Sequence, residues 1–167
     1  DTARGRDLLV SAQTGSGKTV AFGLAMASTL MGEAERFDRA AEPLALIIAP
    51  TRELAAQVAD NFDVYAKHTK LTKALLIGGV SFADQDKLID RGVDVLIATP
   101  GRLLDHFERG KLLLTGIDML VIDEADRMLD MGFIPDIERI CKLLPPRRQT
   151  LFFSATMPPE ITRLVST

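Results

Sequence analysis

The 167-residue sequence has a single cysteine, Cys141, and no tryptophan. A lone thiol cannot close an internal disulfide, which excludes a disulfide-stapled scaffold and fits a reducing compartment. No run of about eighteen apolar residues occurs, so no helical membrane span is expected. The opening Asp1-Thr2-Ala3-Arg4 has neither an initiating Met nor the basic-then-apolar pattern of a signal peptide, and reads as cut from something longer. An excess of positive charge is also lacking. The formal net charge is −3, whereas dedicated nucleic-acid binders are usually basic, so any such site must be local and built from loops. Aromatic residues make up only 5%, too few for base stacking to dominate.

What is present is enough for one cored domain. The chain is 47% hydrophobic, and a chain of this length buries roughly 70% of its unfolded surface without staples. Short apolar runs recur along it: Leu8-Leu9-Val10, Leu44-Ala45-Leu46-Ile47-Ile48, Ala74-Leu75-Leu76-Ile77, Val93-Asp94-Val95-Leu96-Ile97, Met119-Leu120-Val121-Ile122 and Leu151-Phe152-Phe153. Runs that are apolar almost throughout read as strands buried on both faces. The stretches between them are amphipathic. Leu54, Val58 and Phe62 share one helical face, as do Ile134, Ile137, Ile140 and Leu144 before the break at Pro145-Pro146. Strand–helix alternation predicts an α/β fold, a mainly parallel sheet with helices on both faces. Residues 32–43 read as a surface connection. His68 and His106 lack any metal-ligand pattern and read as surface residues, and Cys141 reads as core.

Polar or Gly/Pro-rich clusters follow the carboxyl end of each strand, where open parallel sheets bind ligands. After the first strand comes Ala12-Gln13-Thr14-Gly15-Ser16-Gly17-Lys18-Thr19. Gly15 and Gly17 let the backbone curl its N–H groups around phosphate oxygens, and the following helix N-terminus adds partial positive charge. Lys18 supplies a cation to the β- and γ-phosphates, and the Thr19 hydroxyl is a Mg²⁺ ligand. The usual pattern begins with Gly where Ala12 stands; a small residue suffices there. After the fifth strand comes Asp123-Glu124-Ala125-Asp126. A carboxylate at that place, Asp123, can hold Mg²⁺ through water, and Glu124 is placed to orient or deprotonate an attacking water. Taken alone, the same acids could simply favour a helix start.

With these residues in view, the chain resembles the N-terminal RecA-like domain, a P-loop NTPase fold, of the DEAD-box ATP-dependent RNA helicases. The motifs run in order: AQTGSGKT at residues 12–19, PTRELA at 50–55, Gly78-Gly79, TPGR at 99–102, DEAD at 123–126 and SAT at 154–156. The match covers nearly all of residues 1–167. The linking text at residues 127–133 is bacterial in style. The resemblance implies ATP and Mg²⁺ as cofactors, RNA as partner, a cytoplasmic setting, and a second RecA-like domain completing the site.

It also implies roles that spacing alone cannot assign. Pro50, Thr51 and Arg52 would contact RNA phosphates, and Gly79 would let the chain pass close to the strand. Thr99, Pro100, Gly101 and Arg102 would hold the RNA backbone without reading sequence. Ser154 and Thr156 would bond to Asp126 and couple nucleotide state to RNA grip. The residues themselves leave plainer alternatives: Thr51 as a helix cap, Thr99-Pro100-Gly101 as a turn, Arg102 as a surface charge, and the two hydroxyls as caps of the helix after Pro158. The resemblance further implies a Gln and an aromatic residue for adenine upstream of Gly5, and arginines from the second domain that are worth about 10³–10⁵ in rate. With neither expected here, this piece would be a monomer that binds Mg²⁺-nucleotide weakly and hydrolyses almost nothing. Three rivals stand beside this reading: a DNA translocase on the same domain, a non-catalytic RNA clamp, and a transporter ATPase, whose LSGGQ-type loop is not found.

Overall fold

The computed structural model describes residues 8–11 by backbone, and residues 42–165 apart from Thr69, with Tyr65 by backbone alone. Residues 12–19, with every phosphate-loop position, and residues 32–41 of the connection lie outside the described residues. The strands are β1 (Leu8–Ser11), β2 (Ala45–Ile48), β3 (Lys73–Leu76), β4 (Val95–Ala98), β5 (Met119–Ile122) and β6 (Gln149–Ser154). All six expected strands are present and form one sheet in the order β1-β6-β5-β2-β4-β3. Every pairing is parallel.

The described helices are α1 (Arg52–Tyr65), α2 (Phe82–Arg91), α3 (Pro100–Glu108), α4 (Ala125–Asp130), α5 (Ile134–Leu143) and α6 (Pro159–Val165). Side-chain alternation along the strands sends neighbours to opposite faces. Ala45, Ile47, Val95, Ile97, Val121 and Phe153 pack with Ala55, Val58 and Phe62 of α1 on one face. Leu46, Ile48, Leu96, Leu120, Ile122 and Phe152 pack on the other with Leu103, Met128, Ile137, Ile140 and Ile161 from α3 to α6. Helices thus cover both faces, which is why β2, β4 and β5 are buried at every position and why their sequences are apolar throughout. Ile47, fully buried among these neighbours, is worth about 2–5 kcal/mol against truncation to Ala. Cys141 is half-buried against the second of these clusters.

Local chemistry starts the helices where the sequence indicates. The Thr51 hydroxyl accepts from the Leu54 N–H at 3.2 Å, and Ser81 accepts from the Asp84 N–H at 3.2 Å. Pro100 takes the first position of α3, where a missing N–H costs nothing. Residues 99–102 are therefore a helix entry rather than a plain turn.

Candidate nucleotide and nucleic-acid rim

Parallel register lines up the carboxyl ends of the strands. Leu76 pairs with Ala98, Ala98 with Ile48, Ile48 with Ile122, and Ile122 with Phe152. The ladder continues one step further: Asp123 N–H donates to the Ile48 carbonyl at 2.9 Å, Ala49 N–H to Ala98 at 3.0 Å, and Thr99 N–H to Leu76 at 3.3 Å. The segments that begin at Gly78, Thr99, Pro50 and Asp123 thus leave the sheet side by side. At the other end Ser11, the residue before the Gly-rich loop, is the register partner of Ser154. The strand carrying SAT lies between the strand leading to the Gly-rich loop and the strand leading to the acids.

Within the acidic cluster each carboxylate has a different setting. Asp123 is 1% exposed at the mouth of β5. Glu124 is the sole non-glycine with positive φ among the described residues, at φ 51°, ψ 55°. An L-residue in this left-handed region costs about 1–3 kcal/mol, and such strain concentrates at functional positions. Its carboxylate lies 3.8 Å from the Arg127 guanidinium, a pair too exposed to offset that cost. Asp126 is bonded across to the end of β6. Its Oδ2 accepts from the Thr156 hydroxyl at 3.0 Å and the Thr156 N–H at 3.1 Å, and its Oδ1 from the Arg127 N–H at 3.0 Å. The Ser154 hydroxyl accepts from the Asp126 N–H at 3.1 Å and donates to the Thr156 carbonyl. Burial alone would raise the Asp126 pKa, but these hydrogen bonds outweigh it and hold the carboxyl below its ordinary range. The hydroxyls of Ser154 and Thr156 therefore serve Asp126, while α6 is started by the Pro158 carbonyl.

The other end of the rim is cationic. Arg52 is exposed at the start of α1, and its Nη1 reaches the Gly78 carbonyl at 3.5 Å. Gly79 has φ +83°, a backbone sign that favours glycine, and a Cβ placed on it would lie 2.5 Å from Arg52 Nη1 and push that guanidinium aside. Thr51, Gly79, Thr99, Gly101 and Arg102 all reach the surface, whereas the Pro50 and Pro100 rings are buried and fix their loops. Thr99 makes no capping bond with its side chain. The N-termini of α1 and α3 open on this same rim, adding partial positive charge that the net charge of −3 conceals.

One expectation fails. His106 is not a surface residue; it is 0% exposed. Three positions after buried Leu103, it falls on the inner face of α3, a spacing visible in the sequence. Its Nε2 lies 2.6 Å from Gln85 Oε1, and its ring meets Phe82 edge-on at 5.1 Å. Burial foremost lowers its pKa, with Arg102 and Arg109 adding to that effect and Asp86 opposing it. Gln85, Phe82 and Arg109 also escape a motif-based reading, because they belong to none of the motifs. His68 is exposed, as expected.

Cation chemistry fits the donor set. Among the described residues no group of three or more His, Cys, Asp and Glu could hold a metal. A single buried carboxylate at a strand mouth suits Mg²⁺, which retains waters and takes phosphate oxygens rather than an all-protein cage. No described helix is long and apolar enough to cross a membrane.

Known proteins resemble this chain in sequence. A family model described as DEAD/DEAH box helicase matches residues 1–164. The chain is 51% identical over 176 residues to the DEAD-box ATP-dependent RNA helicase 52A of Oryza sativa subsp. japonica, covering 97% of this chain and 29% of that protein. It is 47% identical to the ATP-dependent RNA helicase RhlB of Pseudomonas putida, covering 98% of this chain and 42% of that one. It is 45% identical to the RNA helicase CrhR of Synechocystis sp., covering 97% and 32%. The chain thus spans less than half the length of these relatives, and their plant and bacterial sources single out no origin for it. With the motifs of the described residues aligned along one sheet rim and a family model matching from residue 1 to residue 164, the chain belongs to the DEAD/DEAH box helicase family.

Proposed function

We propose that this chain is the ATP-binding half of a cytoplasmic ATP-dependent RNA helicase. In this reading it works as a monomer with a second RecA-like domain of the same protein, coupling ATP hydrolysis to local RNA duplex opening. One observation carries the reading: the acids after β5, the SAT residues after β6 and the strand that feeds the AQTGSGKT loop are adjacent on the same rim as Arg52, Gly79 and Arg102.

Bound ATP with Mg²⁺ supplies the scissile phosphate and the cation that neutralises it. Residues 12–19 would cradle the phosphates, with Lys18 as the charge partner and Thr19 as a ligand of the metal. Asp123 would hold the metal through water. Glu124, exposed by 24% where Asp123 is buried, positions the attacking water and takes its proton. Thr51, Arg52, Gly79, Thr99, Gly101 and Arg102 grip the RNA backbone, with Pro50 and Pro100 setting their loops. Contacts of this type are indifferent to sequence, and the 2′-hydroxyl is what can separate RNA from DNA. Asp126, Ser154 and Thr156 carry the nucleotide state toward the domain that closes over the RNA. Closure that bends one strand and expels its partner needs on the order of 1–2 kcal/mol per base-pair step, so a few pairs per cycle is in range.

The test is phosphate release by the full-length protein with ATP and Mg²⁺, comparing no nucleic acid, RNA and DNA, beside a Glu124→Gln control. RNA-specific stimulation that the control abolishes is the expected result. Stimulation by DNA would replace this reading with a translocase. RNA binding without stimulation would replace it with a clamp.

A further inference from the structure

Behind the cationic end of the rim lies a buried polar cluster outside every motif. Gln85 is 1% exposed and His106 is 0% exposed. Burying such groups is costly unless each finds partners, so their bonds constrain one another tightly. The Gln85 amide nitrogen donates to the Ile77 carbonyl at 2.8 Å, which sets the orientation of the amide. Oε1 is then left to Arg102 Nε at 3.0 Å and His106 Nε2 at 2.6 Å. A guanidinium only donates, so Oε1 accepts from Arg102 with one lone pair and takes the His106 Nε2–H on the other. Nδ1 of the ring lies 3.5 Å from Arg109 Nη1 and 3.6 Å from Asp86. Asp86 is itself clamped by Arg109 at 2.9 and 3.1 Å.

The same cluster governs the glycine turn. Gln85 holds the Ile77 carbonyl on one side of Gly78-Gly79, and Arg102 donates to the Val80 carbonyl on the other. Between them Arg52 reaches the Gly78 carbonyl, its Nη1 lying where a Cβ on Gly79 would crowd it. Arg102 is further stacked on Phe82, 3.6 Å from the ring centroid, with Arg109 at 4.3 Å.

We propose that Gln85, backed by His106, is a positioning residue for RNA: its amide locks Arg102 and the Gly78-Gly79-Val80 turn into one preformed backbone-binding surface. This rests on the function proposed above and names a residue of that site which touches no RNA. The physical gain is preorganisation. A guanidinium held by a neutral amide, a carbonyl and an aromatic face loses little freedom on binding, and among the described residues no carboxylate has to be stripped from it first.

The test uses the full-length protein and follows RNA-stimulated ATP hydrolysis as a function of RNA concentration. Gln85→Leu removes the bridge and is expected to raise the half-saturating RNA by about tenfold, the scale of one lost hydrogen bond to a charged group. The KM for ATP should stay within about twofold, since the cluster lies at the RNA end. Gln85→Glu keeps the acceptor for Arg102 but loses the donor to Ile77 and adds a carboxylate that RNA must displace, so it should stay impaired. His106→Gln should fall between wild type and Gln85→Leu, and these two changes carry the comparison if Gln85→Leu does not fold. Unchanged RNA half-saturation in folded variants, or a parallel rise in the KM for ATP, overturns the positioning role and leaves a purely structural one. A wild type that RNA fails to stimulate overturns the helicase reading itself, and this inference with it.

Discussion

The two ends of the carboxyl rim are built on opposite plans. At the acidic end, Asp126 is fixed by bonds that reach across to the tail of β6, and Glu124 sits on strained backbone. At the cationic end, Arg102 and Arg52 are fixed by carbonyls of a single turn and by a neutral amide, and the one left-handed position in that turn is a glycine. The first arrangement is suited to transmit movement, because a shift of the β6 tail would withdraw donors that hold Asp126. The second resists movement, because Gln85 and Arg102 hold the carbonyls on both sides of the turn. In the proposed function a coupling element and a gripping element would share one sheet edge and would need these different stiffnesses.

The largest expected effect breaks this comparison at its acidic end. Glu124→Gln removes the proposed base while leaving size and left-handed backbone as they are. Phosphate release by the full-length protein with RNA should fall by about 10²–10⁴, while ATP binding, measured by equilibrium titration, persists. Normal turnover would take the proton transfer away from Glu124. Glu124→Asn makes a second use of the strain: Asn tolerates left-handed backbone, so thermal unfolding should show a protein at least as stable as wild type although equally inactive. Loss of stability in that variant would mean the Glu124 side chain holds the fold as well as the water.

At the cationic end, Gly79→Ala should act twice. A Cβ there forces left-handed strain of about 1–2 kcal/mol on the turn and displaces the Arg52 guanidinium 2.5 Å away. Half-saturating RNA should rise by about tenfold, and the melting temperature should fall by a few degrees. A drop in stability without a change in RNA response would separate Arg52 from RNA binding.

The fold was legible because the sheet is covered on both faces. Strands such as Ala45–Ile48 and Val95–Ala98 have no solvent side to encode, so continuous apolar text names them. Thr51 was legible both as a cap and as a candidate contact, and it is a cap that also reaches the surface. Legibility ended where a partner lies far along the chain. Gln85 and His106 are 21 residues apart, and neither carries a signature of the other. The isolated histidine therefore read as surface, even though its spacing from Leu103 places it inward. The left-handed backbone at Glu124 left no trace either, since glutamate is not a residue chosen for that conformation. Residue type declares chemistry, and strain and long-range pairing do not show in it.

A smaller effect tests the transmitting end. Thr156→Val keeps the shape and the N–H bond to Asp126 but deletes the hydroxyl donor at 3.0 Å. The pair is partly exposed, so the stability cost should be no more than about 1 kcal/mol. RNA unwinding per ATP hydrolysed should fall more than hydrolysis itself. Equal losses in both would make Thr156 a plain support for Asp126 rather than a coupling residue. Asp126 adds a pH signature at this end. Its folded pKa is depressed, so the stabilisation it brings is present above 3.8 and is lost as pH falls through the lower folded value. In Thr156→Val the folded pKa lies closer to 3.8, so that acid loss should be smaller and should be complete at a higher pH.

The smallest effect belongs to the gripping end and has its own pH window. His106 is buried and faces Gln85, Asp86, Arg102 and Arg109, and its folded pKa lies below 6.5. A depressed histidine contributes full stability above 6.5, where both folded and unfolded forms are neutral. As pH falls below 6.5 the unfolded chain takes up the proton first, and the contribution declines until the folded pKa is reached. His106→Phe cannot titrate, and Gln85 Oε1 keeps Arg102 as a donor in its absence. Thermal unfolding of wild type should therefore lose stability between pH 7.5 and pH 5.5 by more than the variant does, while Asp86, whose carboxyl Arg109 holds low, stays charged across that range. Parallel profiles would mean that the imidazole accepts its proton in place, with Asp86 as counter-ion. The gripping end would then be held by a charged histidine, and its stiffness would vary with pH.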